Sequence, residues 1–191
     1  MIREREVMMR AGEVATRYTV IAKGMTSRID ACADWSASTP CPDWTVIDIV
    51  RHVVDVHRGA LSLLDDREPL PAPTDATEVV EAWRGANLAM RSALEDQDRA
   101  TRIVSPRFGD MPFEDLASRM VCSDTLVHTW DIARASGQDE QLDAAAVDYA
   151  WTWMHDAGDN LRASGSFGPA VPPPPDADTQ TLLLCFLGRA V

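Results

Sequence analysis

The stretch SDTLVHTWDIARA, residues 123–135, sets Asp124, His128 and Asp131 among Leu126, Val127, Trp130 and Ile132, with Met120 and Val121 just ahead of them. Carboxylate oxygens and imidazole nitrogens are the donor atoms of divalent-metal sites and the usual groups of acid–base chemistry. On a helix, residues four apart lie one above the other, so Asp124 and His128 can direct an oxygen and a nitrogen to one point. At about 100° per residue, Leu116, Met120, Asp124, Val127, His128 and Asp131 all fall on one side. Burying an unpaired carboxylate is costly. A metal, a plain Asp124–His128 hydrogen bond, or a face wetter than the pattern implies would each compensate it.

A third ligand would separate these alternatives, and the segment VIDIVRHVVDVHRGALSLL offers His52 and His57. They are five apart and so on different faces. Helical periodicity puts His57 in the middle of the Val46, Val50, Val53, Leu64 stripe and His52 at its edge beside Ile49 and Val56. Periodicity alone therefore picks His57 as the inward residue, as a core histidine. His155, next to Asp156, has no comparable company and reads as a surface or boundary residue.

Those side chains need elements to hold them. From about Arg3 to Trp35, Val7, Ala11, Val14, Tyr18, Ile21, Met25, Ile29 and Cys32 recur at alternating steps of four and three, which predicts a long amphipathic helix. STPCPDW breaks it with two prolines, and Thr45 with Asp48 three residues later forms a capping box for a second helix over roughly 46–65. After the Pro-rich DDREPLPAPTDAT, the residues Val79, Val80, Trp83, Met90 and Leu94 mark a third helix over about 76–97. TRIVSPRFGDMPF, with β-branched residues, prolines and a Gly-Asp turn, predicts a short irregular hairpin. A fourth helix runs from near Glu114 to a C′ glycine at Gly137. Asp143 caps a fifth, carrying Val147, Trp151, Met154 and Leu161. FGPAVPPPPDAD then makes an extended, polyproline-like strap, and TQTLLLCFLG a last short helix. The expected fold is all-α: one domain over 1–191, a four-helix bundle with extra C-terminal helices outside it and a short irregular hairpin before the fourth helix.

Composition narrows the partners. The chain has 191 residues, 46% of them hydrophobic, enough for one ordinary core. A net charge of −12 repels phosphate backbones, and no Lys/Arg run with interleaved aromatics relieves it, which argues against nucleic acid. MIREREVMMR is charged where a signal peptide is apolar, and no run approaches the ~18 apolar residues of a membrane span, so the expectation is a cytoplasmic protein. Cys32, Cys41, Cys122 and Cys185 are widely spaced with no C-x-x-C pair and read as free thiols. Cys122 adjoins the ionisable trio in sequence but points away from its face.

CPDWTVIDIVRHV, followed far downstream by DTLVHTWDIARASGQ, resembles the DinB/YfiT-like superfamily, and within it the metal-binding domain of mycothiol-dependent maleylpyruvate isomerase. In that family a histidine eight residues after the Trp of a G/D-W-T motif joins an E/D-x-x-x-H pair on a later helix to hold one divalent metal. The resemblance implies His52, eight residues after Trp44, together with Asp124 and His128 as ligands. Asp131 matches the family's acidic residue three positions after the second histidine, and His57 is left as a pocket candidate. FGPAVPPPPDADTQTLLLCFLGR resembles small single-domain relatives of actinobacterial type, so the similarity runs over nearly the whole chain. Two departures matter. The isomerase-type pattern has Glu where this chain has Asp124, one methylene shorter, which leaves direct and water-mediated ligation both open. The isomerase also has a second, C-terminal domain outside the resemblance, so maleylpyruvate isomerisation itself is not carried over.

Two imidazoles and one carboxylate leave a coordination position open, as catalytic zinc sites do. A thiol arriving there becomes a thiolate at neutral pH, the nucleophilic form. The implied cofactors are a divalent metal, zinc first, with nickel or iron compatible with the same ligand types, and mycothiol as co-substrate. The implied partners are a small-molecule thiol and an electrophile, with a homodimer allowed and neither nucleic acid nor membrane. The favoured reading is a metal-dependent thiol S-transferase or isomerase-like enzyme. A non-catalytic metal-binding or sensing protein, and a plain bundle whose acids and histidines only pair with each other, are the alternatives. Asp131 either takes the far N–H of a ligating histidine or pairs with an arginine such as Arg134 or Arg51. Trp44 and Trp130 read as packing residues.

Overall fold

The computed structural model describes residues 11–163 and 168–191. The elements are α1 (Ala11–Asp30), α2 (Val46–Asp65), α3 (Ala76–Glu95), a single turn α4 (Gln97–Ala100), the strands β1 (Ile103–Val104) and β2 (Met111–Pro112), α5 (Phe113–Leu116), a π-helical stretch (Ala117–Cys122), α6 (Ser123–Ala135), α7 (Ala144–Ala163) and α8 (Thr179–Phe186). Helices α1 and α2 each pack on both α3 and α6, which closes a four-helix bundle, while α7 packs on α6 and α8 outside it. The fold is all-α, with a two-stranded antiparallel hairpin pairing Ile103 with Pro112 and Val104 with Met111. The expected start of the first helix, with Val7, and the side chain of Leu161 lie outside the described residues.

Local chemistry explains most boundaries. The first helix stops at Asp30, short of the expected Trp35, because Asp34 Oδ1 accepts hydrogen bonds from the backbone N–H and hydroxyl of Ser36, at 2.9 and 2.7 Å, an Asx turn that competes with helix. The loop that follows caps α2: Val46 N–H donates to Ala37 O and Ile47 N–H to Trp35 O, both at 3.1 Å, and Thr45 N–H donates to Asp48 Oδ2 at 3.0 Å. Helix α6 ends in a Schellman turn, with Gly137 at φ 63° and Gln138 N–H donating to Ala133 O at 2.9 Å. Asp143 Oδ1 accepts from Ala146 N–H at 2.9 Å at the start of α7.

One expectation fails within the fourth helix. A uniform α-helical phase puts Met120 on the face of Asp124 and His128, yet it is 42% exposed, and Ala117, Ser118, Val121 and Cys122 face inward instead. The π-helical turn is wider than an α turn and resets the phase of everything upstream of Ser123. Ser118 helps hold this stretch, accepting from Arg17 Nη1 at 2.8 Å and donating to Tyr149 OH at 2.9 Å. Downstream of it, Thr125 to Ala133 are buried on every side, because α6 has the bundle on one flank and α7 with the C-terminal segment near the other.

His57 is the core histidine that periodicity indicated. It is fully buried, its Nδ1 hydrogen-bonds Val53 O at 2.7 Å, its Nε2 lies 2.9 Å from Tyr18 OH, and its ring meets Trp83 edge-on. Burial pushes its pKa down to about 4, only partly opposed by the Val53 carbonyl. The unfolded chain therefore takes up this proton first, and folding stability should fall as pH drops from 6.5 to about 4, then level off for this group. The full loss is roughly 3 kcal/mol, and urea titrations across that range should show it. His57→Gln should flatten the slope in that window; an unchanged slope would assign the pH dependence to other groups.

Candidate metal centre

Two elements bring the site together. Helix α2 starts at its capping box, which sets Trp44 just before the helix and His52 in its second turn, facing α6. Helix α6 carries Asp124 and His128 one turn apart, and α1 approaches it closely enough that Gly24 sits against the Thr129 methyl. His52 Nε2 lies 2.9 Å from Asp124 Oδ1, and His128 Nε2 lies 3.6 Å from the same oxygen. One ligand atom from each of His52, Asp124 and His128 lies within 4.8 Å of the others, close to the ~4.2 Å that two bonds of about 2.1 Å to one ion can span, so a small side-chain adjustment would bring all three onto one cation. The two imidazoles meet edge to face with centroids 5.0 Å apart, and the Trp44 indole covers both, at 4.9 Å from His52 and 6.0 Å from His128. Trp44 thus both packs on the core and walls the site.

The electrostatics are those of an incomplete donor set. Asp124 Oδ2 is buried with no hydrogen-bond partner among the described residues. Burial would raise the Asp124 pKa, but His128 and the hydrogen bond with His52 hold it below the usual carboxylate range. Burial works against protonation of His52 too, yet the hydrogen bond and charge of Asp124 leave its pKa raised. His52 keeps a third of its side-chain surface exposed at 34%, Asp124 22% and His128 9%, so the opening to solvent lies on the His52 side.

Behind His128 sits a second cluster. Asp131, with none of its side chain exposed, accepts from His128 Nδ1 at 2.8 Å and from Arg189 at 3.2 Å (Nε to Oδ1) and 2.8 Å (Nη2 to Oδ2). Burial would raise the Asp131 pKa; the hydrogen bonds from His128 and Arg189 more than reverse this and hold it low. Cys41 Sγ lies 3.4 Å from Asp131 Oδ2, and Arg189 Nη2 donates to Cys41 Sγ at 3.2 Å. Cys41, His128 and Asp131 also meet the distance condition for a metal-binding trio, but here a guanidinium already lies among the donors. Burial first, then the Asp131 charge, push the Cys41 thiol up to about 12, so at neutral pH it is a donor and not a thiolate.

Asp131 therefore both takes the His128 Nδ1–H and pairs with an arginine, and that arginine is neither Arg134 nor Arg51. Arg134 pairs instead with Glu140 at 3.0 Å and Arg51 with Asp48 at 3.3 Å. Cys41 and Arg189 escaped the sequence reading. A signal existed for the second: CFLGR puts a glycine at a helix end with an arginine after it, where an apolar contact residue is usual. Cys122 is buried away from the trio with its thiol pushed up to about 12, and His155 is exposed beside Trp151 and Phe186. His57 lies in the bundle core behind the site.

A family model described as mycothiol maleylpyruvate isomerase N-terminal domain matches residues 25–133, from the middle of α1 to near the end of α6. Two uncharacterized proteins of Mycobacterium tuberculosis, from strains CDC 1551 / Oshkosh and ATCC 25618 / H37Rv, are each 28% identical over 159 residues, covering 80% of this chain and 84% of theirs. No solved structure matches the chain. The matched segment contains His52, Asp124, His128, Asp131 and Cys41, and leaves Arg189 outside it.

The 2.8 Å contact with Asp131 requires the neutral His128 ring to carry its proton on Nδ1, leaving the Nε2 lone pair aimed toward Asp124. Long-range ¹⁵N–¹H spectra of the metal-free protein should show His128 as the Nδ1–H tautomer. A predominant Nε2–H form would contradict this orientation.

Proposed function

The chain belongs to the mycothiol maleylpyruvate isomerase N-terminal domain family, and from that premise we propose that it is a divalent-metal-dependent enzyme that joins a low-molecular-weight thiol of the mycothiol type to a small electrophile. The observation that carries the reading is the buried Oδ2 of Asp124, without a hydrogen-bond partner among the described residues, between two imidazoles whose Nε2 atoms face the same carboxylate. A buried carboxylate oxygen with nothing to accept from is costly, and a cation ligated by His52, Asp124 and His128 satisfies it. The donor set, two neutral nitrogens and one carboxylate, suits zinc first, with nickel and iron(II) compatible.

His52, Asp124 and His128 would hold a divalent cation, which would supply the Lewis acidity that makes a thiol nucleophilic at neutral pH. The protein's own groups do the remainder. Asp131 accepts the His128 Nδ1–H and fixes the ring's orientation, Trp44 shields one side of both imidazoles from water, and the exposed edge of His52 marks the side from which thiol and electrophile enter. In the reaction the thiol gives up its proton and its sulfur adds to the electrophile, forming a carbon–sulfur bond as the electrophile's π bond opens, and the electron pair so released takes up a proton from solvent. No cysteine of the chain is needed as the nucleophile, since burial holds Cys122 as a thiol and burial with Asp131 does the same for Cys41.

The purified protein should retain one divalent metal per chain by elemental analysis. His52→Ala and His128→Ala should each abolish retention and any thiol-dependent turnover in a screen of electrophiles with mycothiol. Asp124→Glu should be milder, and chelation should lower the melting temperature while leaving helical circular dichroism largely intact, because the core packs independently of the ligands. Retained metal with no turnover on any thiol would favour a sensing or storage role. Activity lost in Cys122→Ala with normal metal content would overturn the external-thiol mechanism.

A further inference from the structure

Arg189 lies outside the family match, yet it is buried, 8% exposed, and its guanidinium is turned into the protein. Its Nε and Nη2 grip both oxygens of Asp131, Nη2 also reaches Cys41 Sγ, and Nη1 donates to Leu187 O at 2.9 Å. We propose that Arg189 is a positioning residue for the metal centre: it holds Asp131, which holds the His128 ring, and its guanidinium takes the place that a cation would otherwise occupy among Cys41, Asp131 and His128. The inference rests on the metal reading above for its consequence and on the hydrogen-bond chain alone for its geometry.

The end of α8 is built to deliver this side chain. Gly188 N–H donates to Cys185 O at 3.1 Å and Arg189 N–H to Leu184 O at 2.9 Å, the two bonds of a Schellman turn with Gly188 at φ 87°. A Cβ on Gly188 would meet Pro169 O at 3.1 Å and Gly168 at 3.3 Å, so the turn is closed by the strap as well as by the backbone conformation. In such turns the residue after the glycine usually makes an apolar contact; here that position sends a charge into the protein, opposite a carboxylate with no solvent exposure.

The charge distribution gives the device its consequence. Two three-donor clusters share His128, one through Nε2 and one through Nδ1. An ion in the second cluster would take the nitrogen that must carry a proton for the first cluster to work. A fixed guanidinium there satisfies Asp131, keeps the proton on Nδ1, and leaves the Oδ2 of Asp124, which has no hydrogen-bond partner among the described residues, for the metal.

The test uses the whole chain. In the metal-free wild type, His128 is read by ¹⁵N–¹H spectroscopy, and cobalt(II) is then titrated with the visible and near-ultraviolet spectrum recorded. In Arg189→Leu the Nδ1–H preference should be lost and cobalt affinity at the His52, Asp124, His128 site should weaken roughly 10–100-fold. A thiolate-to-cobalt charge-transfer band, absent in the wild type, should also appear and vanish again when Cys41→Ser is added. Arg189→Lys should recover part of the affinity, and Gly188→Ala, which changes no charged group, should mimic Arg189→Leu. If Arg189→Leu does not fold, Arg189→Lys and Gly188→Ala carry the same readouts. Unchanged tautomer and affinity in these variants would overturn the proposal. So would simple additivity of Arg189→Leu and Asp131→Asn on cobalt affinity, since residues acting in one chain must couple. A wild type that binds no cobalt would refute the metal reading, and the tautomer would then decide the role of Arg189 by itself.

Discussion

A carboxylate with no access to water must be answered by donors on all sides, and Asp131 imposes that requirement on three separate parts of the chain. The donors come from α6 itself through His128, from the C-terminal turn through Arg189, and from the loop between α1 and α2 through Cys41. Removing one partner of such a buried pair costs about 3–5 kcal/mol, because the remaining charge is stranded. The C-terminal segment is thus fastened to the bundle beside the His52, Asp124, His128 cluster.

From Asp131 the order propagates outward in one direction. The carboxylate sets the His128 ring, the ring presents Nε2 to Asp124, and Asp124 faces His52 across the cleft between α2 and α6. Each step moves toward solvent, from a fully buried carboxylate to a histidine that keeps about a third of its surface. The two aspartates, both charged and seven residues apart on one helix, are consequently not equivalent. Asp131 is neutralised by arginine, whereas Asp124 has one oxygen unanswered among the described residues.

The bundle was legible because its helices bury one side and alternate four and three, and the capping box and the Gly137 turn marked boundaries that the structure keeps. What periodicity could not do was single out His52, because it selects the most inward histidine, His57. Helix α2 faces α3 on one flank and α6 on the other, so the centre of its stripe is the core, where His57 meets Tyr18 and Trp83, while the stripe's edge is the cleft. Only the resemblance, through the Trp44-to-His52 spacing, pointed to the edge. Met120 was misplaced because a π turn is invisible to a fixed 100° step. Cys41 and Arg189 come from a proline-flanked loop and a helix-terminal turn, where no period exists to reveal which way a side chain points.

The most direct test of this account is an anomalous diffraction map from crystals of the protein as purified with its metal. The account requires a single strong peak bonded at about 2.0–2.1 Å to Nε2 of both His52 and His128, with the Asp124 carboxylate at the same ion and Arg189 still paired with Asp131. A peak on the Nδ1 side of His128 beside Cys41, or a fully metal-loaded protein with no density between His52 and His128, would contradict it.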